Sequence, residues 1–339
     1  MANRPQNFNE YTGQVDIVKR LNIAISASKI RRKALKHMIF AGNAGLGKTT
    51  LSQIVANEMG VTFTSIMGTS LQKSEDVVNL LKQALDNTGY DPLTGEIVGD
   101  IKPNIIFIDE IHAISKKVQE YMYPIMEDFS LDKEEDIPED GKIKTVISHY
   151  TVPQFTIIGA TTIPSKLEQP FRDRCIVYNL QNYSPDELGN ILTKYSERVE
   201  IVADPEAINQ IAKRSRGVAR IAINLFEQCA DQGFIDNDGE INTDVTGKSF
   251  KLMGIDHNGL GSIDVAVLEH LEKCSRPVGV GSIAEAIGED KGTVSEIVEP
   301  FLVQRGLIIR TGRGREITGE GREYLLNSGV TKQKGRMLI

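Results

Sequence analysis

The segment Gly42-Asn43-Ala44-Gly45-Leu46-Gly47-Lys48-Thr49 constrains this chain more than any other. It has the spacing G-x-x-x-x-G-K-T, follows a short apolar run that begins at His37, and gives way to Thr49-Thr50-Leu51-Ser52-Gln53-Ile54-Val55-Ala56. A strand, a glycine-rich loop and a helix in that order form a phosphate cradle. The glycines let backbone N–H groups turn inward, Lys48 adds a positive charge, and the helix that starts there directs its positive dipole end at the same point. Gly45, Gly47, Lys48, Thr49 and Thr50 are therefore the expected contacts to ATP or GTP, with the Thr49 hydroxyl on Mg²⁺. A plain link between two elements would not require Lys followed by Thr.

Two further apolar runs end in chemistry. Ile105-Ile106-Phe107-Ile108 runs into Asp109-Glu110, and Phe155-Thr156-Ile157-Ile158-Gly159-Ala160 runs into Thr161-Thr162. Continuous apolar runs suit strands covered on both faces, and helical stretches such as Lys117 to Asp128 lie between them. The fold class this predicts is α/β, a doubly wound parallel sheet with its ligand at the strands' C-terminal ends. By itself, Asp109-Glu110 is only solvated charge at a strand end. Beside a phosphate loop, Asp109 can hold the water shell of Mg²⁺ and Glu110 can orient and deprotonate the water that attacks the γ-phosphate. Thr162, in preference to Thr161, is expected to hydrogen-bond that water or the phosphate.

Arg172 and Arg174 stand in Phe171-Arg172-Asp173-Arg174, past the strand taken as the last of the core. An arginine placed there suggests a cation that reaches the phosphate of an adjacent subunit; the alternative is a surface ion pair with Asp173. Arg220, in Arg216-Gly217-Val218-Ala219-Arg220, opens a helix from which it can reach the same phosphate or simply lie on the helix surface.

With 339 residues the chain has room for two or three units of roughly 100–200 residues each. The pattern divides it into a large ATPase domain at 1–180, a small helical lid at 181–254, a winged helix at 255–330 and a flexible tail at 331–339. The wing is expected at Leu307-Ile308-Ile309-Arg310 and Arg315-Glu316-Ile317-Thr318 around a glycine turn. Arg310, Arg313 and Arg315 cluster there in a chain of net charge -7, so nucleic-acid contact must come from such a local patch; a solvated hairpin is the bland alternative. Cys175, Cys229 and Cys274 are widely spaced and read as having no His or Cys partner at metal-ligand spacing, which points to reduced thiols and a cytoplasmic protein. No apolar run approaches the roughly 20 residues that span a bilayer.

These residues together resemble the RuvB family, hexameric AAA+ motors that drive branch migration of Holliday junctions. The match extends from Arg4-Pro5 and Glu10-Tyr11-Thr12-Gly13-Gln14 through Phe107-Ile108-Asp109-Glu110-Ile111-His112, Tyr123-Pro124-Ile125-Met126-Glu127-Asp128 and Arg172-Asp173-Arg174 to Ala286-Ile287-Gly288-Glu289 and Glu299-Pro300. The resemblance implies ATP and Mg²⁺ as ligands, a homo-hexamer, and duplex DNA or a four-way junction as substrate. It also implies an adenine pocket formed with Arg4 and Tyr183, with Tyr11 nearby, and a segment Glu127, Asp128, Phe129 that approaches a neighbour's nucleotide. Arg174 matches the arginine finger, Arg220 the lid sensor, and Arg310 and Arg315 the DNA contacts of the wing.

The chain departs from the family at four places. Ala219 replaces the proline of the lid motif, and Cys175 follows the finger where the family has Phe-Gly, shortening what is read as the exit from a strand. Extra residues, Asn87 to Gly95, form an expected surface hairpin between Asp86 and Lys102, with a partner or DNA contact as the alternative. The segment that in the family is a hairpin with an apolar tip for the junction-binding partner RuvA reads Leu131-Asp132-Lys133-Glu134-Glu135-Asp136-Ile137-Pro138-Glu139-Asp140 here. An acidic tip does not bury in an apolar groove at low cost, so the expected loading partner is different or altered, such as one with a basic groove. A clamp-loader-like ATPase, or an ATP-gated recruitment module without motor activity, are the other functions compatible with the motifs.

Overall fold

The computed structural model describes residues 4–85, 104–139 and 142–327. The expected hairpin at 87–95 and the tail at 331–339 lie outside them. The chain divides into two compact units, one comprising the residues to Val199 with Val218–Arg220, the other comprising Glu200–Gly217 and the residues from Ile221.

The first unit contains α1 (Val15–Arg31), β1 (Met38–Ala41), α2 (Lys48–Met59), β2 (Thr62–Met67), α3 (Ser74–Leu85), β3 (Asn104–Asp109), α4 (Lys116–Glu127), β4 (Ser130–Glu139), β5 (Lys142–Thr151), β6 (Phe155–Thr161), α5 (Gln169–Asp173), β7 (Ile176–Asn179) and α6 (Pro185–Val199). Five strands form one parallel sheet in the order β2-β3-β6-β1-β7. The apolar runs are its centre: β1 and β6 are buried at every residue, as are the first five residues of β3. Ile39, Ile106, Ile108, Ile157 and Phe155 pack with Val118, Met122 and Ile125 of α4. This is the doubly wound sheet that the sequence predicts.

One expectation needs correcting. Arg174 does not follow the last core strand, because β7 comes after it and pairs with β1, Met38 against Ile176 and Ala41 against Asn179. Ile176-Val177-Tyr178-Asn179 is short, and three of its four residues keep some exposure, so it lacks the apolar run that marks a central strand. Cys175 accordingly connects the end of α5 to β7 and is not a strand exit.

Strands β4 and β5 pair antiparallel over ten residues, from Ser130 opposite Thr151 to Glu139 opposite Lys142. The root of this ribbon is fastened to the core. Leu131 is buried, Tyr150 packs on the same cluster, and Val152 N–H donates to Phe129 O at 2.6 Å.

The second unit holds α7 (Pro205–Arg214), α8 (Ala219–Asp236, less its first two residues), α9 (Thr243–Met253), α10 (Ser262–Glu272), α11 (Val280–Ile287), α12 (Lys291–Thr293), α13 (Glu299–Gln304), β8 (Ile308–Thr311), β9 (Gly314–Ile317) and α14 (Gly319–Asn327). Strands β8 and β9 pair as the predicted wing, Arg310 opposite Arg315. Two features were not anticipated. The third helix of this region widens into a π turn at Val294–Val298 between α12 and α13, and α14 follows the wing, its Leu325 buried with Leu268, Leu302 and Ile308.

All three cysteines are free thiols, and burial pushes Cys175 up to about 12 and Cys229 up to about 11. Neither is a reactive thiolate. Cys274 does have a neighbour the sequence reading overlooked, His270 four residues earlier, with Sγ 3.8 Å from Nε2. Among the described residues, however, no three His, Cys, Asp or Glu side chains are grouped to hold a metal, and no helix is long and apolar enough to cross a membrane.

Candidate functional site

The sheet order sets the geometry of the site. Because β6 lies between β1 and β3, the three motif-bearing ends stand side by side: the phosphate loop after β1, Thr161-Thr162 after β6 and Asp109-Glu110 after β3. Neighbouring strands are about 4.8 Å apart, which puts the loop and the acid pair roughly 10 Å from each other across β6.

The loop conformation depends on glycine. Gly42, Gly45 and Gly47 have φ of 149°, 81° and 89°. At Gly45 a Cβ would meet Val218 Cγ1 at 2.7 Å and Arg220 Cβ at 2.9 Å, while the Gly45 carbonyl accepts from Arg220 N–H at 3.3 Å. The Val218–Arg220 turn therefore rests on the phosphate loop through backbone that no larger residue could occupy. Lys48 is buried, and its Nζ donates to Gly42 O at 2.7 Å and Asn43 O at 2.9 Å. Burial lowers its pKa, and the Glu110 and Asp109 carboxylates oppose that shift. An ammonium has three donors, so one remains for a phosphate oxygen. Thr49 and Thr50 are half-buried in the first turn of α2.

Tyr11 and Tyr183 stand over the loop. Their hydroxyls are 3.0 Å apart, and the Tyr183 hydroxyl donates to Leu46 O at 2.8 Å. A Cβ on Gly47 would meet both hydroxyls, at 3.3 and 3.4 Å. Desolvation raises both phenols above their ordinary range, so they remain neutral hydrogen-bonding groups. Arg4, also expected near adenine, is exposed, and its carbonyl accepts from Gln6 Nε2.

On the acid side, Glu110 takes the left-handed conformation, φ 47°, and its N–H donates to Asp109 Oδ1 at 3.0 Å. Its Oε2 is sealed from solvent and lies 3.2 Å from His112 Nδ1 without hydrogen-bond geometry. The same nitrogen lies 2.9 Å from Thr161 Oγ1, which also accepts from Ile163 N–H. Thr161 is thus engaged internally, and Thr162 follows it half-buried. His112, quoted in the sequence only as part of a motif, stands between Glu110 and the end of β6. An orphaned carboxylate oxygen on one side of β6 and an incompletely used Lys48 on the other form a set that a nucleotide, its Mg²⁺ and an attacking water would complete, so the residues fit those groups.

Arg174 caps α5. Its Nη2 pairs with Glu127 Oε2 at 2.5 Å, Nη1 donates to Pro170 O at 2.9 Å, and its guanidinium lies 4.9 Å from the centre of the Tyr123 ring. Asp173 instead accepts from Gln169 Nε2, so the pairing with Asp173 considered from sequence does not form. Arg172 Nη2 donates to Gln169 Oε1 at 2.6 Å. The finger candidate and Glu127 are thereby brought together with exposed Asp128, whereas Phe129 turns inward, its ring 5.7 Å from Phe155 and edge-on to it.

In the second unit, the wing arginines converge on Glu299, which is 2 % exposed. Arg310 Nε bonds Oε1, and Arg315 reaches Oε1 and Oε2 at 2.9 Å each. Arg313 lies exposed beside the turn. A second buried carboxylate, Asp264, pairs with Arg216 at 2.6 Å. Glu299 was quoted in the sequence only as part of a motif and Asp264 not at all, because the partners of both lie far along the chain.

Comparison with known proteins adds three matches in chain order. The family model for the Holliday junction DNA helicase RuvB P-loop domain matches residues 3–180, that for the RuvB AAA lid domain residues 183–256, and that for the RuvB C-terminal winged helix domain residues 257–326. The chain is 35% identical over 319 residues to the Holliday junction branch migration complex subunit RuvB of Bdellovibrio bacteriovorus, covering 93% of this chain and 91% of that protein. It is 39% identical over 318 residues to the subunit of the same name from Acholeplasma laidlawii, covering 93% and 88%. The solved Thermotoga maritima RuvB Holliday junction branch migration motor superposes with a TM-score of 0.78 at 32% identity, over 96% of this chain and 99% of that one.

Proposed function

Because the chain belongs to the RuvB family, we propose that it is an ATP-hydrolysing motor that moves duplex DNA and drives branch migration of Holliday junctions. The observation that carries this reading is the alignment of Lys48, Thr161-Thr162 and Asp109-Glu110 on three adjacent strand ends, in a chain whose later residues form a winged helix.

In this reading the loop amides, Lys48 and Thr50 bind the phosphates of ATP, and Arg4, Tyr11 and Tyr183 border the base. Mg²⁺ held by Thr49 and Asp109 would offset charge on the phosphate oxygens. Glu110 takes a proton from the attacking water, while Thr162 holds that water or the γ-phosphate. Arg220 approaches from the turn that rests on Gly45. Arg174, with Glu127 and Asp128, completes the pocket of the next copy in a homo-hexamer, where a trans cation is worth roughly 10³ to 10⁵ in turnover; Phe129, packed inward on Phe155, takes no part. Arg310, Arg313 and Arg315 lay guanidinium groups along the DNA backbone. The proposed working parts are the ATPase domain at 1–180, the lid at 181–254 and the winged helix at 255–330, in the cytoplasm.

The charge on the β4 sequence supports a loading partner other than a standard RuvA, one that presents a basic groove. Tight binding of a standard RuvA to this chain would overturn that part. The motor itself is tested by strand displacement on a synthetic four-way junction with Lys48→Ala as control. Displacement that needs ATP and Lys48 is expected; DNA binding without displacement would favour a recruitment module. A clamp-loader reading would require a helical collar after the lid, where the winged-helix match lies instead.

A further inference from the structure

Arg216 belongs to neither the phosphate site nor the wing, yet it is joined to elements that serve both. It takes the left-handed conformation with φ 56°, followed by Gly217 at 73°, and only Gly217 separates it from Val218, where the turn resting on Gly45 begins. Within the second unit its guanidinium pairs with Asp264, at 2.6 Å through Nη2 and 3.4 Å through Nη1, and lies 4.3 Å from the centre of the Phe301 ring. Asp264 is 2 % exposed and also accepts from Gly261 N–H at 2.7 Å, which fixes the start of α10. Phe301 is on α13, two residues beyond the Glu299 that holds Arg310 and Arg315.

The same junction is tightened from the α7 side. Arg214 Nε donates to Asp256 O at 2.9 Å, and a Cβ on Gly259 would meet the Arg214 carbonyl oxygen at 2.8 Å. Asp256 in turn accepts from Asn258 N–H, Leu260 N–H and the Tyr324 hydroxyl. Residues of the lid and of the winged helix thus interlock around two arginines, Arg214 and Arg216.

Resting on the motor reading above, we propose that Arg216 is a positioning residue that couples the two ends of the motor. Through Asp264 and Phe301 it fastens the DNA-holding wing to the turn carrying Arg220, so that a shift of that turn with nucleotide state is delivered to the wing instead of being lost in a loose joint. A planar, permanently charged group suits the task, because it satisfies a buried carboxylate and stacks on a ring at the same time. The role differs from that of Arg220, which faces the phosphate, and from that of Arg174, which serves the neighbouring subunit.

The test uses the full-length chain. Arg216→Met leaves Asp264 buried without a cation and should lower the thermal midpoint; Arg216→Met with Asp264→Asn leaves no charge buried and should restore it. The double variant should keep DNA-free ATP hydrolysis and duplex affinity within about twofold of wild type while losing at least tenfold in DNA-stimulated hydrolysis and junction movement. Recovery of coupling together with stability would make the ion pair merely structural and overturn the proposal. If the double variant does not regain stability, Arg216→Lys decides: it keeps a cation beside Asp264 without the planar face, and stimulation within twofold of wild type overturns the idea. Spin labels at Gln228 and Glu320 give a readout that does not depend on motor activity. A narrow distance distribution in wild type that broadens in the variants is expected, and unchanged width refutes the joint. Failure of wild type to move junctions counts against the motor reading alone.

Discussion

Arg174 and Glu127 are joined by an ion pair on a face where Glu127 remains 59 % exposed and Arg174 28 % exposed. A pair this open is worth about 0.2–1 kcal/mol, far less than the roughly 4–7 kcal/mol that a rate factor of 10³ to 10⁵ represents. Glu127 therefore orients the arginine without locking it. Arg174→Ala should lower hydrolysis by roughly 10³ or more with nucleotide affinity nearly unchanged. Mixing Arg174→Ala subunits with Lys48→Ala subunits should restore part of the activity, because some mixed interfaces join an intact pocket to an intact finger. No recovery on mixing would rule out a shared site.

Gly45→Ala should fold yet bind nucleotide poorly. A left-handed alanine costs about 1–2 kcal/mol, and its Cβ would press on Val218 and Arg220, pushing the Val218–Arg220 turn off the loop. Affinity for ATP, measured by calorimetry, is expected to fall by about tenfold or more. Unchanged affinity would mean that the turn has no part in the pocket.

For the wing, removal of a phosphate contact should appear as a change in salt dependence. Arg313→Ala and Arg315→Ala should each reduce the slope of log affinity against log salt by about 0.9. Glu299→Gln removes the shared buried carboxylate, and since Arg310 is half exposed and Arg315 is not, the cost to folding should be about 1–3 kcal/mol, below that of a fully buried pair. Identical salt slopes for wild type and both arginine variants would remove the wing from the DNA interface.

His37 supplies a pH dependence. It accepts from Ile157 N–H through Nδ1 at 2.9 Å, which leaves Nε2–H to donate to Met126 O at 3.0 Å, and burial lowers its pKa below 6.5. The native state thus holds the ring neutral while the unfolded chain protonates it. Its stabilising contribution is complete above the unfolded value near 6.5 and is lost as pH falls through that value toward the lower native one. His37→Gln should show a smaller drop in thermal midpoint than wild type between about pH 7.5 and about pH 5.5. An equal drop would assign the acid sensitivity to other groups.

The parts of the site legible in the sequence were those written locally. Gly42 to Thr49 carries its own geometry, and the apolar runs ending in Asp109-Glu110 and Thr161-Thr162 identify strands because central parallel strands are covered on both faces. Edge strands lack that mark: β7 was missed, and with it the true setting of Arg174. Burial of Glu299 and Asp264 depends on partners 11 to 48 residues away, so neither stood out from ordinary surface acids. His112 carries no pattern of its own, because only the sheet order brings Thr161 of β6 to it.

The seating of the β4–β5 ribbon bears on how the protein would feel an external load. Its base is nailed down by Leu131, by the Val152 to Phe129 hydrogen bond and by the ring of Phe129 against Phe155, and Glu127 lies two residues upstream. Whatever grasps the far end of this rod holds a crank handle, and the torque arrives beside the Arg174–Glu127 pair.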